Sequence, residues 1–155
     1  MSWNSYSEDR MKSRNDLVIT VATAAHEDWR TQYKAANGDT PRIKKTKDQS
    51  FITRGILEVD IASLSYTELP SDWQTENKAG AECAVDCVLA ALGQNRPLET
   101  NFVEEASSVQ HDKWLERNGA WAPENQKLPY SQLTEFEKEK DRFFVLAAIE
   151  AAKSK

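Results

Sequence analysis

His26-Glu27-Asp28-Trp29 and His111-Asp112-Lys113-Trp114 decide the fold, because the same pattern is written twice in one chain. Tyr66-Thr67-Glu68-Leu69 and Tyr130-Ser131-Gln132-Leu133 follow them in the same order. At equal distances beyond the two tyrosines stand Asn77 and Asp141, each followed by a base, Lys78 or Arg142. Two related halves are expected, a divergent first copy over 9–93 and a second over 99–153, sharing one domain of 1–155. Packed about a pseudo-twofold axis, such halves leave a groove that is the first place to look for a site.

Hydrophobic periodicity outward from these stretches is helical. Val18, Val21, Ala22, Ala25 and Trp29 keep to one face of a helix over about 9–36, ended by Asn37-Gly38, with residues 1–8 a polar lead-in. A second helix over about 71–92 opens on a Ser71/Gln74 capping box, buries Trp73, Ala81, Ala84, Val88 and Leu92, and stops at Gly93. A third runs over about 101–118 with Phe102, Ala106, Val109 and Trp114 inward, and Gly119 at its end. Thr134-Glu135-Phe136-Glu137 opens a last helix to about 153, buried through Phe136, Phe143, Phe144, Ala147 and Ala151. The segment 39–50 reads as a polar, basic loop. Leu57, Val59 and Ile61 alternate with Glu58 and Asp60 as one short extended piece, too brief to build a sheet by itself. The expected fold is mainly α, with long irregular connectors at 37–70 and 119–133. Loops of that length in a compact domain are functional or disordered.

Bulk properties narrow the functions. At 155 residues, 39% hydrophobic and 29% charged, the chain has ordinary globular composition and enough length for a substantial core. No apolar run reaches the roughly 18 residues of a membrane span, and the N-terminus lacks an export signal, so a cytoplasmic location away from membranes is expected. A net charge of −5 counts against binding a nucleic-acid polymer. Cys83 and Cys87, four apart on a helix, read as small packing residues, and with only two histidines elsewhere a structural zinc site is not expected. There is no glycine-rich phosphate loop, no G-x-S-x-G turn, no H-E-x-x-H and no C-x-x-C, so neither an enzyme nor a cofactor is expected. Against the acidic average, Arg42, Lys44, Lys45, Lys47 and Arg54 cluster with only Asp48 opposing them. They form either a solvated loop or a seat for phosphates.

The second copy resembles a known family. Gln110-His111-Asp112-Lys113-Trp114, Gly119-Ala120-Trp121, Leu128-Pro129-Tyr130, Leu133 and Glu137-Lys138-Glu139-Lys140-Asp141-Arg142 are similar to the RyR repeat, over about 108–149. In the first copy His26, Trp29, Asn37-Gly38-Asp39 and 66–78 align in the same order. An alanine separates Gly119 from Trp121, and the first copy replaces the glycine–tryptophan turn with the basic insert. The resemblance implies a clamp for adenine-type nucleotides and related purines, with the tryptophan after the glycine stacking on the ring. Its small phage and bacterial members imply a free-standing protein that sequesters a nucleotide signal in an anti-defence role.

The chemistry of such a ligand selects the candidate residues. Stacking of a base on an aromatic face is worth roughly 1–3 kcal/mol. The base edge needs an amide or carboxylate, and each charged hydrogen bond to phosphate adds about 1.5–3 kcal/mol. Trp121 is the leading stacker, since no helical stripe demands it. Tyr66 and Tyr130 face the groove or pack against their own histidine–tryptophan helices. Asn77 and Asp141 read an edge or bond the preceding connector, and Trp73 lines the groove or packs. Arg42, Lys44, Lys45 and Arg54 would hold phosphates. Trp29, Trp114, His26 and His111 are assigned to the core. The expected function is non-catalytic binding of a small phosphate-bearing nucleotide between the halves. The alternative is a protein-interaction module, and self-association of the chain stays open.

Overall fold

The computed structural model describes residues 3–153. The chain is mainly helical, as expected: α1 (Trp3–Asn37), β1 (Ile43–Lys45), α2 (Gln49–Thr53), β2 (Glu58–Asp60), α3 (Ser71–Gly93), α4 (Thr100–Asn118) and α5 (Glu135–Lys153). Single 3-10 turns occupy Tyr66–Glu68, Glu124–Gln126 and Tyr130–Gln132. No helix among the described residues is long and apolar enough to cross a membrane. Compactness divides the chain into Ala22–Ala79 and a second unit formed by Met1–Val21 with Gly80–Lys155. These boundaries fall inside α1 and α3, whereas the sequence repeat divides between 93 and 99.

In the Ala22–Ala79 unit, the segment expected to be a loop is built. β1 pairs antiparallel with β2, with Lys44 opposite Val59. The extended piece read at 57–61 thus finds a partner in the basic stretch, while Ile52 falls in α2. Two aspartates fasten this insert to the start of α3. Asp48 caps α2 by accepting from Ser50 N–H and also accepts from Ser71 N–H at 2.8 Å. Asp72 accepts from Thr46 Oγ1 and Lys47 N–H, both at 2.7 Å. The bonds to Ser71 and Ser50 hold the Asp48 carboxyl well below its usual range. Gly55, at φ +80°, closes α2 by a left-handed turn in which Ile56 N–H bonds Phe51 O.

In the other unit α4 packs on α5. Arg142 of α5 forks onto Glu104 of α4 at 2.7 and 2.8 Å and reaches Glu135 and Glu139 as well. Those carboxylates raise its pKa, and Arg142 in turn lowers Glu104, Glu135 and, with Glu104, frames the Tyr130 hydroxyl. Arg14 of α1 makes a similar fork to Asp86 of α3. Leu17, Val18, Val21, Ala84, Val85, Val88, Phe102, Ala106, Val145 and Ile149 are buried.

Several local expectations need correction. Met1 and Ser2 of the lead-in lie outside the described residues, but α1 already begins at Trp3. α3 ends at Gly93, as expected, and the left-handed residue that closes it is Asn95, at φ 54°, with Arg96 N–H on Ala91 O and Asn95 N–H on Leu92 O, a Schellman closure. The Ser71/Gln74 box is not the cap of α3, because Gln74 Nε2 donates to Tyr66 O instead. A reciprocal box forms one turn earlier, between Ser65 and Glu68. Phe136 is 68% exposed: the buried stripe of α5 is Asp141, Val145, Ala148 and Ile149, and Phe136 is out of phase with it. Its ring is covered by Lys140 one turn on. Val109 is also exposed, at the margin of a buried arc on α4 that centres on Ser107, Gln110 and His111. Leu92 is exposed in the last turn of α3.

The Arg142 fork gives a stability prediction. Arg142→Ala should destabilise the protein by about 1–2 kcal/mol, since it strands Glu104 beside the Tyr130 hydroxyl. Arg142→Lys should recover less than half of that loss, because an ammonium cannot reproduce the planar fork. Urea unfolding midpoints check both, and an Arg142→Ala midpoint equal to that of the parent protein refutes the assignment.

Candidate functional site

The two sequence copies carry the same local construction. His26 Nε2 lies 2.8 Å from Leu64 O, and His111 Nε2 lies 2.8 Å from Leu128 O. Each histidine stacks on the tryptophan one turn later, at 5.7 Å and 14° for Trp29 and at 6.0 Å and 12° for Trp114. Each bonded carbonyl lies two residues before a buried tyrosine, Tyr66 or Tyr130, that opens a 3-10 turn closed by a leucine N–H. A carbonyl oxygen only accepts, so Nε2 carries the proton in both rings. In the neutral ring Nδ1 is then a bare acceptor.

What faces that acceptor differs between the copies. In the second, His111 Nδ1 is 3.4 Å from Asp141 Oδ2, with both side chains buried. Two acceptors at that distance repel unless a proton lies between them. Burial pushes the Asp141 carboxyl up, to about 7, against the pull of His111. Burial therefore favours a protonated Asp141 carboxyl facing that acceptor in acid solution. In the first copy Asn77 holds the equivalent sequence position, eleven residues after Tyr66, and it lines a pocket together with His26.

That pocket lies wholly within the Ala22–Ala79 unit. Its wall is made by His26, Trp29, Ile61, Leu69, Trp73, Glu76 and Asn77, and it holds about 200 Å³. Helical spacing explains the grouping: Trp73, Glu76 and Asn77 are i, i+3 and i+4 on α3, and His26 and Trp29 are i and i+3 on α1. Trp73 is fixed by its Nε1–H, which donates to Lys45 O at 2.8 Å. Lys44 Nζ sits 5.8 Å from the centre of the Trp73 ring. Tyr33 stacks on Trp29, with ring centroids 5.2 Å apart. The result is an aromatic recess with a carboxylate, a carboxamide and a neighbouring ammonium.

The residues expected at the site thus separate. Trp73, Asn77 and Lys44 come together, and Lys45 joins them only through its backbone carbonyl. Arg42 is exposed, with its backbone N–H on Asp60 Oδ1, and the Arg54 guanidinium lies over the Phe51 ring. Tyr66 and Tyr130 are buried, in keeping with the packing alternative, and the Tyr130 hydroxyl donates to Glu104 at 3.0 Å. Burial and that bond push the Tyr130 phenol up to about 12. Trp121, in the other unit, is 66% exposed, edge-on to Trp114 at 5.9 Å, with Nε1–H on Asn118 Oδ1. Sequence reading placed His26 and Trp29 in the core and passed over Glu76. The signal available was the i, i+3, i+4 set of Trp73, Glu76 and Asn77.

Other candidates are chemically weaker. A groove of about 450 Å³ in the second unit, lined by Leu98, Glu99, Thr100, Val103, Glu104, Arg142 and Leu146, has no aromatic wall, and its one guanidinium is already neutralised by carboxylates. Among the described residues no three His, Cys, Asp or Glu side chains gather as a metal site. Cys83 and Cys87 are free and half-buried, and the hydrogen bond between them raises the first thiol and lowers the second. No family model matches the chain, and no curated protein or solved structure gives a significant match.

The His111–Asp141 pair sets a pH dependence. A carboxyl whose folded pKa is raised, here from 3.8 to about 7, contributes stability that is complete below the lower value and lost as pH climbs through the upper one. The parent protein should therefore lose stability between pH 4 and 7 relative to Asp141→Asn, which offers His111 Nδ1 an N–H at every pH. Each kcal/mol corresponds to roughly 2–4 °C for a chain of this size. Melting curves across that window for both proteins provide the check, and parallel profiles contradict the raised carboxyl.

Proposed function

We propose that this protein is a non-catalytic binder of a small, phosphate-bearing nucleotide, and that the Ala22–Ala79 pocket receives the base. The observation that carries this reading is the meeting of Trp29, Trp73 and Asn77 in one recess beside Lys44. A cavity of about 200 Å³ is smaller than the roughly 300–1,000 Å³ of a drug-sized site, so it fits a ring and leaves the sugar and phosphate outside. Lys44, whose Nζ stands 5.8 Å from the centre of the Trp73 ring, supplies a cation for that phosphate. His26, the histidine of the recess, is committed through Nε2 to Leu64 O, which favours holding a ligand over transferring its protons. Release of the nucleotide unchanged, as in sequestration, follows from this reading, and the resemblance to RyR repeats points the same way.

The competing reading, a protein-interaction module, has its support in the other unit, where Trp121, Leu128 and Phe136 are exposed. Large exposed apolar side chains are the usual material of a protein contact.

A melting series with purine nucleotides separates the two. Ligand at 100 times its dissociation constant adds about 2.7 kcal/mol, or roughly 5–10 °C here. Trp73→Ala should abolish the rise and Trp121→Ala should leave it intact. Lys44→Ala should weaken nucleotides more than the matching nucleosides. Absence of any rise across purine mono-, di- and cyclic nucleotides rejects the proposal, as does recovery of chemically altered ligand.

A further inference from the structure

Cys83 and Cys87 stand one turn apart on α3, along one edge of the buried stripe of Gly80, Ala84, Val88 and Ala91. Both are free and half-buried, neither entombed nor fully exposed. The two thiols are hydrogen-bonded to each other: Cys83 donates, which raises its own thiol and lowers that of Cys87. Lys113 and Arg117 of α4 face Cys83 and favour its thiolate. Asp86, whose carboxylate opposes a thiolate at Cys87, is held by the Arg14 fork at 2.7 and 2.9 Å. All of these residues belong to the unit that does not contain the aromatic recess.

Helix geometry limits what such a pair can do. Residues four apart on a helix hold their Cβ atoms about 5–6 Å apart. A disulfide needs about 3.5–4.5 Å, so oxidation cannot join these sulfurs without bending α3. An ion placed between the sulfurs closes the gap and leaves the helix straight. We infer that Cys83 and Cys87 form a two-coordinate site for a soft monovalent cation, copper(I), separate from the nucleotide pocket. Thiolates select copper(I) over hard cations. Zinc takes four ligands, and among the described residues no three His, Cys, Asp or Glu side chains gather. A closed-shell monovalent ion is satisfied by two thiolates in line. On binding, each S–H bond breaks, both protons pass to solvent and two copper–sulfur bonds form. The metal enters and stays as copper(I), so no electron moves. A cation between two thiolates carries one net negative charge, which Lys113 and Arg117 oppose from α4.

Anaerobic titration of the full chain with copper(I), in competition with a chromophoric copper(I) chelator, tests this. One ion per chain should bind, and X-ray absorption should show two sulfur neighbours and no nitrogen. Cys83→Ser and Cys87→Ser should each weaken binding by more than about a hundredfold, since even an outer-shell partner is worth about 10–100-fold. Melting temperatures establish that each variant is folded, and Cys83→Ala or Cys87→Ala replaces a serine variant that is not. Zinc(II) should bind far more weakly than copper(I) under the same competition. Absence of copper(I) binding, its retention by both serine variants, a nitrogen neighbour or equal binding of zinc(II) overturns the inference. So does an intramolecular disulfide formed in the folded monomer by mild oxidation. Because the two sites lie in different units, each of these outcomes leaves the nucleotide proposal standing.

Discussion

A single kind of hydrogen bond organises this protein: an imidazole N–H on α1 or α4 donating to a backbone carbonyl in the connector that precedes a buried tyrosine. A carbonyl in a connector has no ladder partner, and leaving one buried and unpaired costs about 1–3 kcal/mol. The histidine satisfies it, and in doing so anchors an irregular segment to a rigid helix. The bond also fixes the tautomer, because Nε2 must hold the proton. Everything near Nδ1 then has to deal with an acceptor. The stacked tryptophan one turn on holds each ring in plane, so the orientation is determined twice over.

From that constraint the two copies diverge in chemistry while keeping their backbone plan. Where Asp141 meets His111, the site is closed: the groups are buried and 3.4 Å apart, and burial pushes the Asp141 carboxyl up. Where Asn77 stands in the first copy, an uncharged amide takes no proton, and the space beside it is a recess with Trp73 and Glu76 on the same helical face. One substitution in a repeated frame thus separates a structural pair from a polar group presented to a cavity. Nucleotide binding is proposed for the copy in which the frame is open.

The four long helices were legible in the sequence because their apolar stripes keep a 3.6-residue period, and so was the helical class of the fold. What escaped reading has physical reasons. The buried arc of α4 is polar at its centre, through Ser107, Gln110 and His111, so hydrophobicity misplaced Val109 on the inward face. Phe136 was counted inward by its type, while the phase of α5 puts Asp141 there. Asn95, an ordinary-looking residue after Gly93, takes the left-handed position that closes α3. In the candidate site, Trp73, Asn77 and Lys44 were legible as ligand groups. His26 and Trp29 were read only as packing, because a residue that fixes a connector and also walls a cavity carries the sequence signature of the first role alone.

The basic insert has the same double character. As sequence it was a run of charge with turn residues, indistinguishable from a solvated loop. Asp48 and Asp72 change its meaning, since each accepts from both the insert or its helix and the opening of α3, or from two successive groups of the insert. Those carboxylates are bonded to backbone N–H and hydroxyl donors, so they do not neutralise the ammonium groups of Lys44 and Lys45. The strand pairing with β2 then sets Lys44 over the Trp73 ring and leaves Lys45 O to receive the indole N–H. A cation beside an aromatic wall is poised for a ligand that is flat at one end and anionic at the other, and its placement depends on backbone bonds that lie far apart in the chain.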